Sequence, residues 1–124
     1  MRTESKPEHI KDRTFNFAVE IVRICENLSA KPGVARSLGR QLLRSGTSIG
    51  ANIEEAQAAQ SSADFISKCT IALKESRETV YWLRLIRASR CANGSVDVAL
   101  KEADELSRII GSIVVRTRNA SKKS

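Results

Sequence analysis

Between Thr14 and Val115, apolar residues recur at three- and four-residue steps, the period of an amphipathic α-helix. The chain divides into four such runs. In the first, Phe15, Ala18, Ile21 with Val22, Cys25 and Leu28 share a face. Lys31-Pro32-Gly33 ends it, since proline cannot continue a helix and disfavours helix in the residue before it. The second runs from Val34 to about Gln60, with Val34, Leu38, Leu42, Ile49, Ile53 and Ala56 as its stripe. The third covers residues 63–90, with Ser62 as its expected N-cap but no acidic capping-box partner three residues on. The fourth begins after Ala92-Asn93-Gly94-Ser95, where Gly94 suits a left-handed turn, Ser95 an N-cap and Asp97 the helix dipole. It carries Val98 with Ala99, Ala103, Leu106, Ile109 with Ile110, Ile113 and Val114.

Two runs depart from a simple surface helix. Arg40 to Ala56 is rich in small residues, and Gly39, Gly46 and Gly50 each cost about 1 kcal/mol relative to alanine inside a helix. Close packing against neighbours would offset that cost; the competing reading is a break near Ser45–Ser48. We read one helix, about 40 Å long at 1.5 Å per residue. The third run has a seam of Phe65, Cys69, Ala72, Ser76, Thr79, Leu83 and Ile86, a second set of Ile66, Leu73 and Val80, and a third of Tyr81, Trp82 and Leu85. A surface helix of a monomer shows one stripe. The extra faces fit a subunit contact or a helix central to its own bundle. Short joints make the expected fold an all-α, up-down-up-down antiparallel four-helix bundle over residues 14–115. Residues 1–13 read as a flexible lead-in and residues 116–124 as a fraying basic tail.

Composition narrows the function. The chain of 124 residues has two prolines, six glycines and five aromatics, so its core is built from Leu, Ile, Val and Ala. A formal charge of +7 favours polyanionic partners. Cys25, Cys69 and Cys91 show no CxxC spacing and lie among apolar neighbours, as buried free thiols of a reducing compartment would. No apolar run approaches 18 residues and the N-terminus has no hydrophobic signal core, so a cytoplasmic protein without a membrane partner is expected.

Nothing in the chain assembles an enzyme. His9 is the single histidine and lies outside the helical runs, so a Glu-x-x-His metal site cannot form in the bundle. There is no phosphate loop ending in Gly-Lys-Ser/Thr, and no catalytic residue, cofactor or metal is expected. Arg36, Arg40 and Arg44 align on one face of the second helix, and Arg77, Arg84 and Arg87 on the third. Arg116, Arg118, Lys122 and Lys123 add charge at the end. Such rows either contact phosphates, giving salt-sensitive, weakly selective binding, or are solvated faces with ordinary ion pairs. Glu55, Glu75 and Glu78 are expected to pair with arginines such as Arg40, Arg44 or Arg77. Asn52 is expected to bond a neighbouring element and fix register. Tyr81 and Trp82 either stack on bases or belong to a core or interface, as does Leu85.

The run from Arg40 to Ala56 contains Asn52-Ile53-Glu54-Glu55, and the third helix contains Lys74-Glu75 and Tyr81-Trp82-Leu83. With Ala63-Asp64-Phe65-Ile66-Ser67-Lys68 these pieces resemble the bacterial four helix bundle protein family. That family includes proteins encoded in intervening sequences of 23S ribosomal RNA genes and accessory variability determinants of diversity-generating retroelements. The likeness covers roughly residues 14–115. It implies a bundle assembling as a ring, typically a homopentamer. For the retroelement branch it implies partners in nucleic acid and a reverse transcriptase. The chain departs from many relatives in having Glu55-Ala56 and Glu75-Ser76. The function expected is a non-enzymatic, ring-forming protein that binds nucleic acid, RNA more than DNA. The alternative is a protein–protein scaffold.

Overall fold

The computed structural model describes residues 9–92 and 94–123, apart from the side chains of Ser95 and Lys123. Expectations for residues 1–8 and for the side chains of Ser95 and Lys123 therefore lie outside the described residues. Four helices make up the fold: α1 (Ile10–Ser29), α2 (Val34–Gln57), α3 (Ser62–Ala88) and α4 (Ser95–Lys123). Each packs along the next, and α4 returns to α1 through a sparser contact. The diagonal pairs stay apart, which is the up-down-up-down order.

The boundaries move in three places, one of them the end of α2, at Gln57 rather than near Gln60. α1 starts at Ile10 rather than Thr14, because His9 caps it: its Nδ1 accepts from the Lys11 N–H at 3.0 Å. α4 continues through Lys123, so the stretch expected to fray carries on as helix. Capping corrects two further expectations. Ser61, not Ser62, caps α3, its hydroxyl accepting from the Asp64 N–H at 3.0 Å. The left-handed residue after α3 is Arg90 (φ 60°), not Gly94. The Cys91 N–H donates to Ile86 O and the Arg90 N–H to Arg87 O, both at 3.2 Å, which closes the helix in a Schellman motif.

The core is aliphatic. Ile21, Leu42, Ile49, Leu83, Ile86, Leu106 and Ile110 are wholly buried, each stabilising by roughly 1.5–3 kcal/mol. On α1 the buried ring is Phe17, while Phe15 is 61% exposed. Of the stripe expected on α1, Ile21, Cys25 and Leu28 are buried, but Phe15 and Val22 are exposed, and Thr14, Phe17 and Ile24 complete the inward face. Val34 and Val98 are likewise exposed, with Ala35, Val96 and Ala99 inside instead.

α2 is one unbroken helix. Its glycines serve contacts within the subunit. A Cβ on Gly39 would lie 3.1 Å from Leu28 Cβ, on Gly46 2.8 Å from Ile21 Cγ2, and on Gly50 3.2 Å from the Thr14 carbonyl oxygen. α1 and α2 thus approach at a distance only glycine allows. A belt of hydroxyls crosses the core nearby. Thr79 on α3 donates to Ser45 on α2 (2.9 Å), and Ser76 on α3 meets Ser107 on α4 (2.7 Å). Cys25 and Cys69 are buried free thiols, while Cys91 is half-buried at the end of α3. Burial pushes Cys69 up and Cys25 up to about 11. No described helix is long and apolar enough to cross a membrane.

Candidate nucleic-acid interface

The cations divide into those that hold helices together and those that do not. On α2, Arg36 donates through Nε to Ser29 O at 3.2 Å and so satisfies a carbonyl at the end of α1. Arg44 reaches across to α3, bonding Glu75 at 3.2 Å and also Glu78. Trp82 donates its indole N–H to the same Glu78 carboxylate at 3.0 Å. The expected pairing of Glu75 and Glu78 with an α2 arginine is therefore made by Arg44, whereas Arg40 and Arg77 take no carboxylate among the described residues. Glu55 pairs with Lys68 at 3.2 Å. Asn52 corrects another expectation: its amide donates to Ser48 O one turn back on its own helix (2.9 Å), not to a neighbouring element.

The Trp82 bond, followed by the Arg44 bond, holds the Glu78 carboxyl below its ordinary value of 4.5, and the Glu78 bond raises Arg44. A depressed carboxylate stabilises the fold above its unfolded value and loses that contribution as pH falls through its folded value. Wild type should therefore exceed Glu78→Gln in urea midpoint at neutral pH, and the difference should shrink as pH falls through and below the ordinary carboxylate range. Both side chains are partly exposed (48% and 38%), which limits the effect to a few tenths of a kcal/mol. A gap unchanged across that range would show the carboxylate to be idle.

The freer cations gather between α3 and α4. Arg77, Val80, Asp104, Ser107, Arg108 and Gly111 line a hollow of about 460 Å³. Val80, Arg84, Arg87, Asp97, Leu100, Lys101 and Asp104 line a second of about 380 Å³. The two share Val80 and Asp104 and so form one continuous furrow. Its five cations face two carboxylates. Arg87 lies 3.4 Å from Asp97 and Arg108 2.8 Å from Asp104, leaving Arg77, Arg84 and Lys101 without an ion pair among the described residues. Lys101 and Arg108 stand outside the sequence-based set. Their seven-residue spacing matches that of Arg77 and Arg84, the signal that two antiparallel helices present facing rows.

Other candidates fall elsewhere. Arg40 is exposed on α2, which is diagonal to α4. Arg116, Arg118 and Lys122 are exposed on the last turns of α4, where Arg116 Nε donates to Ser112 O (3.4 Å). Tyr81 is 54% and Leu85 36% exposed on the outer side of α3, whereas Trp82 is half-buried and packs against the core. Tyr81 and Trp82 meet edge to face at 5.2 Å. One interhelical cluster has no counterpart in the sequence-based set: Arg13 on α1 donates to Glu102 (2.7 Å) and to Glu105 on α4.

A comparison with curated proteins returned no match. Among solved structures the chain is similar to a protein of unknown function from the S23 ribosomal protein family of Bacteroides thetaiotaomicron. Identity is 43% and the TM-score 0.76, covering 86% of this chain and 98% of that one. Residues 8–112 match the family described as 23S rRNA-intervening sequence protein. With the match extending from α1 into α4, the chain belongs to the 23S rRNA-intervening sequence protein family.

Proposed function

We propose that this protein is a non-enzymatic, cytoplasmic RNA-binding protein that carries phosphates in the α3–α4 furrow and repeats that furrow around a ring of identical subunits, a homopentamer. The observation that carries the reading is the set of Arg77, Arg84 and Lys101, three cations on two facing helices without carboxylate partners among the described residues. Charges held this way contact phosphates without reading bases, so binding is salt-sensitive and weakly selective. The net charge of +7 acts in the same direction at longer range. Family membership favours RNA over a reverse transcriptase as the partner to test first. Tyr81 and Leu85, exposed on α3, support the assembly.

Electrophoretic mobility with a structured RNA across a salt series tests the reading. A shift at low salt that weakens steeply as salt rises is expected; no shift at low salt rejects it. The exposed apolar residues favour a second reading, a scaffold for another protein. A partner recovered from the native host that survives nuclease treatment, with no RNA shift, would establish that one.

A further inference from the structure

The sparse α1–α4 seam leaves an apolar groove of about 410 Å³. Phe17, Ile24 and Ala99 form its floor at 3–5% exposure, and Val98 stands at its edge 74% exposed. Along its rim lie Glu20 and Glu102; with Glu105 beside them, three carboxylates share the two guanidiniums of Arg13 and Arg23, an acidic excess of one. On the outer side of α3 the opposite combination occurs. Tyr81 and Leu85 are exposed there beside Lys74, whose ammonium has no carboxylate partner among the described residues. The neighbouring carboxylate, Glu78, is already held by Arg44.

We infer that the α1–α4 groove of one subunit receives the Tyr81–Leu85 face of α3 from a second copy of this chain. Apolar edge meets apolar floor, and Lys74 approaches the acidic rim. α3 lies diagonal to α1, so the inserting face and the receiving groove are on different sides of the bundle. The contact is therefore heterologous, and each subunit has one of each surface free to continue. Such contacts close into a ring when the rotation permits. The inference rests on the ring-forming part of the proposed function and is independent of RNA.

Two full-length variants test it by sedimentation velocity. Val98→Arg blocks the groove but keeps the inserting face; Leu85→Glu does the reverse. Each alone should lose assembly and sediment as a monomer with wild-type helical circular dichroism. Mixed in equal amounts, they should pair through the one intact face and one intact groove, doubling the mass and stopping there. Wild-type assembly by either variant alone, or a mixture that stays monomeric, overturns the inference. If either variant loses helical signal, Glu102→Lys and Tyr81→Glu replace Val98→Arg and Leu85→Glu and are read in the same way. A wild type that is itself monomeric at the same concentration overturns assembly altogether. RNA binding by that monomer would then leave the furrow standing.

Discussion

Gly46→Ala should destabilise the bundle by about 1–3 kcal/mol, although alanine is the better helix former by about 1 kcal/mol. The new Cβ would lie 2.8 and 2.9 Å from Ile21 Cγ2 and Cγ1. Ile21 has no exposed surface into which to retreat, and its branched side chain is stiff about χ1. The clash can be relieved only by moving α1 away from α2, which loosens the neighbouring contacts at Gly39 and Gly50 as well. Urea titration at fixed protein concentration reads the change, the concentration being held because assembly shifts apparent stability. Ile21→Ala alone should cost about 2–5 kcal/mol. In the double variant the clash is gone, so its cost should fall short of the sum of the singles. Additive costs, or a Gly46→Ala protein more stable than wild type, would mean that α1 and α2 do not approach as described.

Reversing the unpaired furrow charges in Arg77→Glu, Arg84→Glu and Lys101→Glu together should weaken RNA binding at low salt by about a hundredfold or more. The slope of log affinity against log salt should fall by about 0.7–0.9 for each phosphate that the furrow no longer neutralises. None of the three holds an ion pair among the described residues, so helical content and melting should stay close to wild type. Arg40→Glu provides the contrast. It removes an exposed charge from α2, on the far side of the bundle from α4, and should change affinity only through weaker general attraction, about two- to threefold. Equal weakening by Arg40→Glu and Arg84→Glu would spread the binding over the whole surface and remove the furrow from its central place.

The number of helices, their order and the continuity of α2 were legible because apolar period and turn residues act locally. Lys31-Pro32-Gly33 and the stripes of α2 and α3 each carry their own signal. The identity of the inward face on α1 was harder to read. Phe15 and Phe17 offer competing stripes, and the choice between them is made by packing against α2, where Gly46 and Gly50 meet Ile21 and Thr14. The helix ends depended on caps that the sequence marks weakly: a histidine at the start of α1 and an arginine in a left-handed conformation after α3. The candidate site was half legible. Rows within one helix follow from spacing, so Arg77, Arg84 and Arg87 were found. Lys101 and Arg108 come beside them only through the pairing of α3 with α4, whereas Arg36 and Arg44 lie on α2, bonded to a carbonyl and two carboxylates.

The paired hydroxyls between α2, α3 and α4 bear on how the bundle can move. A slip of α3 by one turn, about 5.4 Å, would separate Thr79 from Ser45 and Ser76 from Ser107, leaving each hydroxyl only a carbonyl of its own helix. Each interhelical bond lost costs about 0.5–1.5 kcal/mol. Two such bonds bias the register of α3 against α2 and α4 toward the one observed. Motion that keeps both bonds tilts the helices against one another rather than sliding them lengthwise.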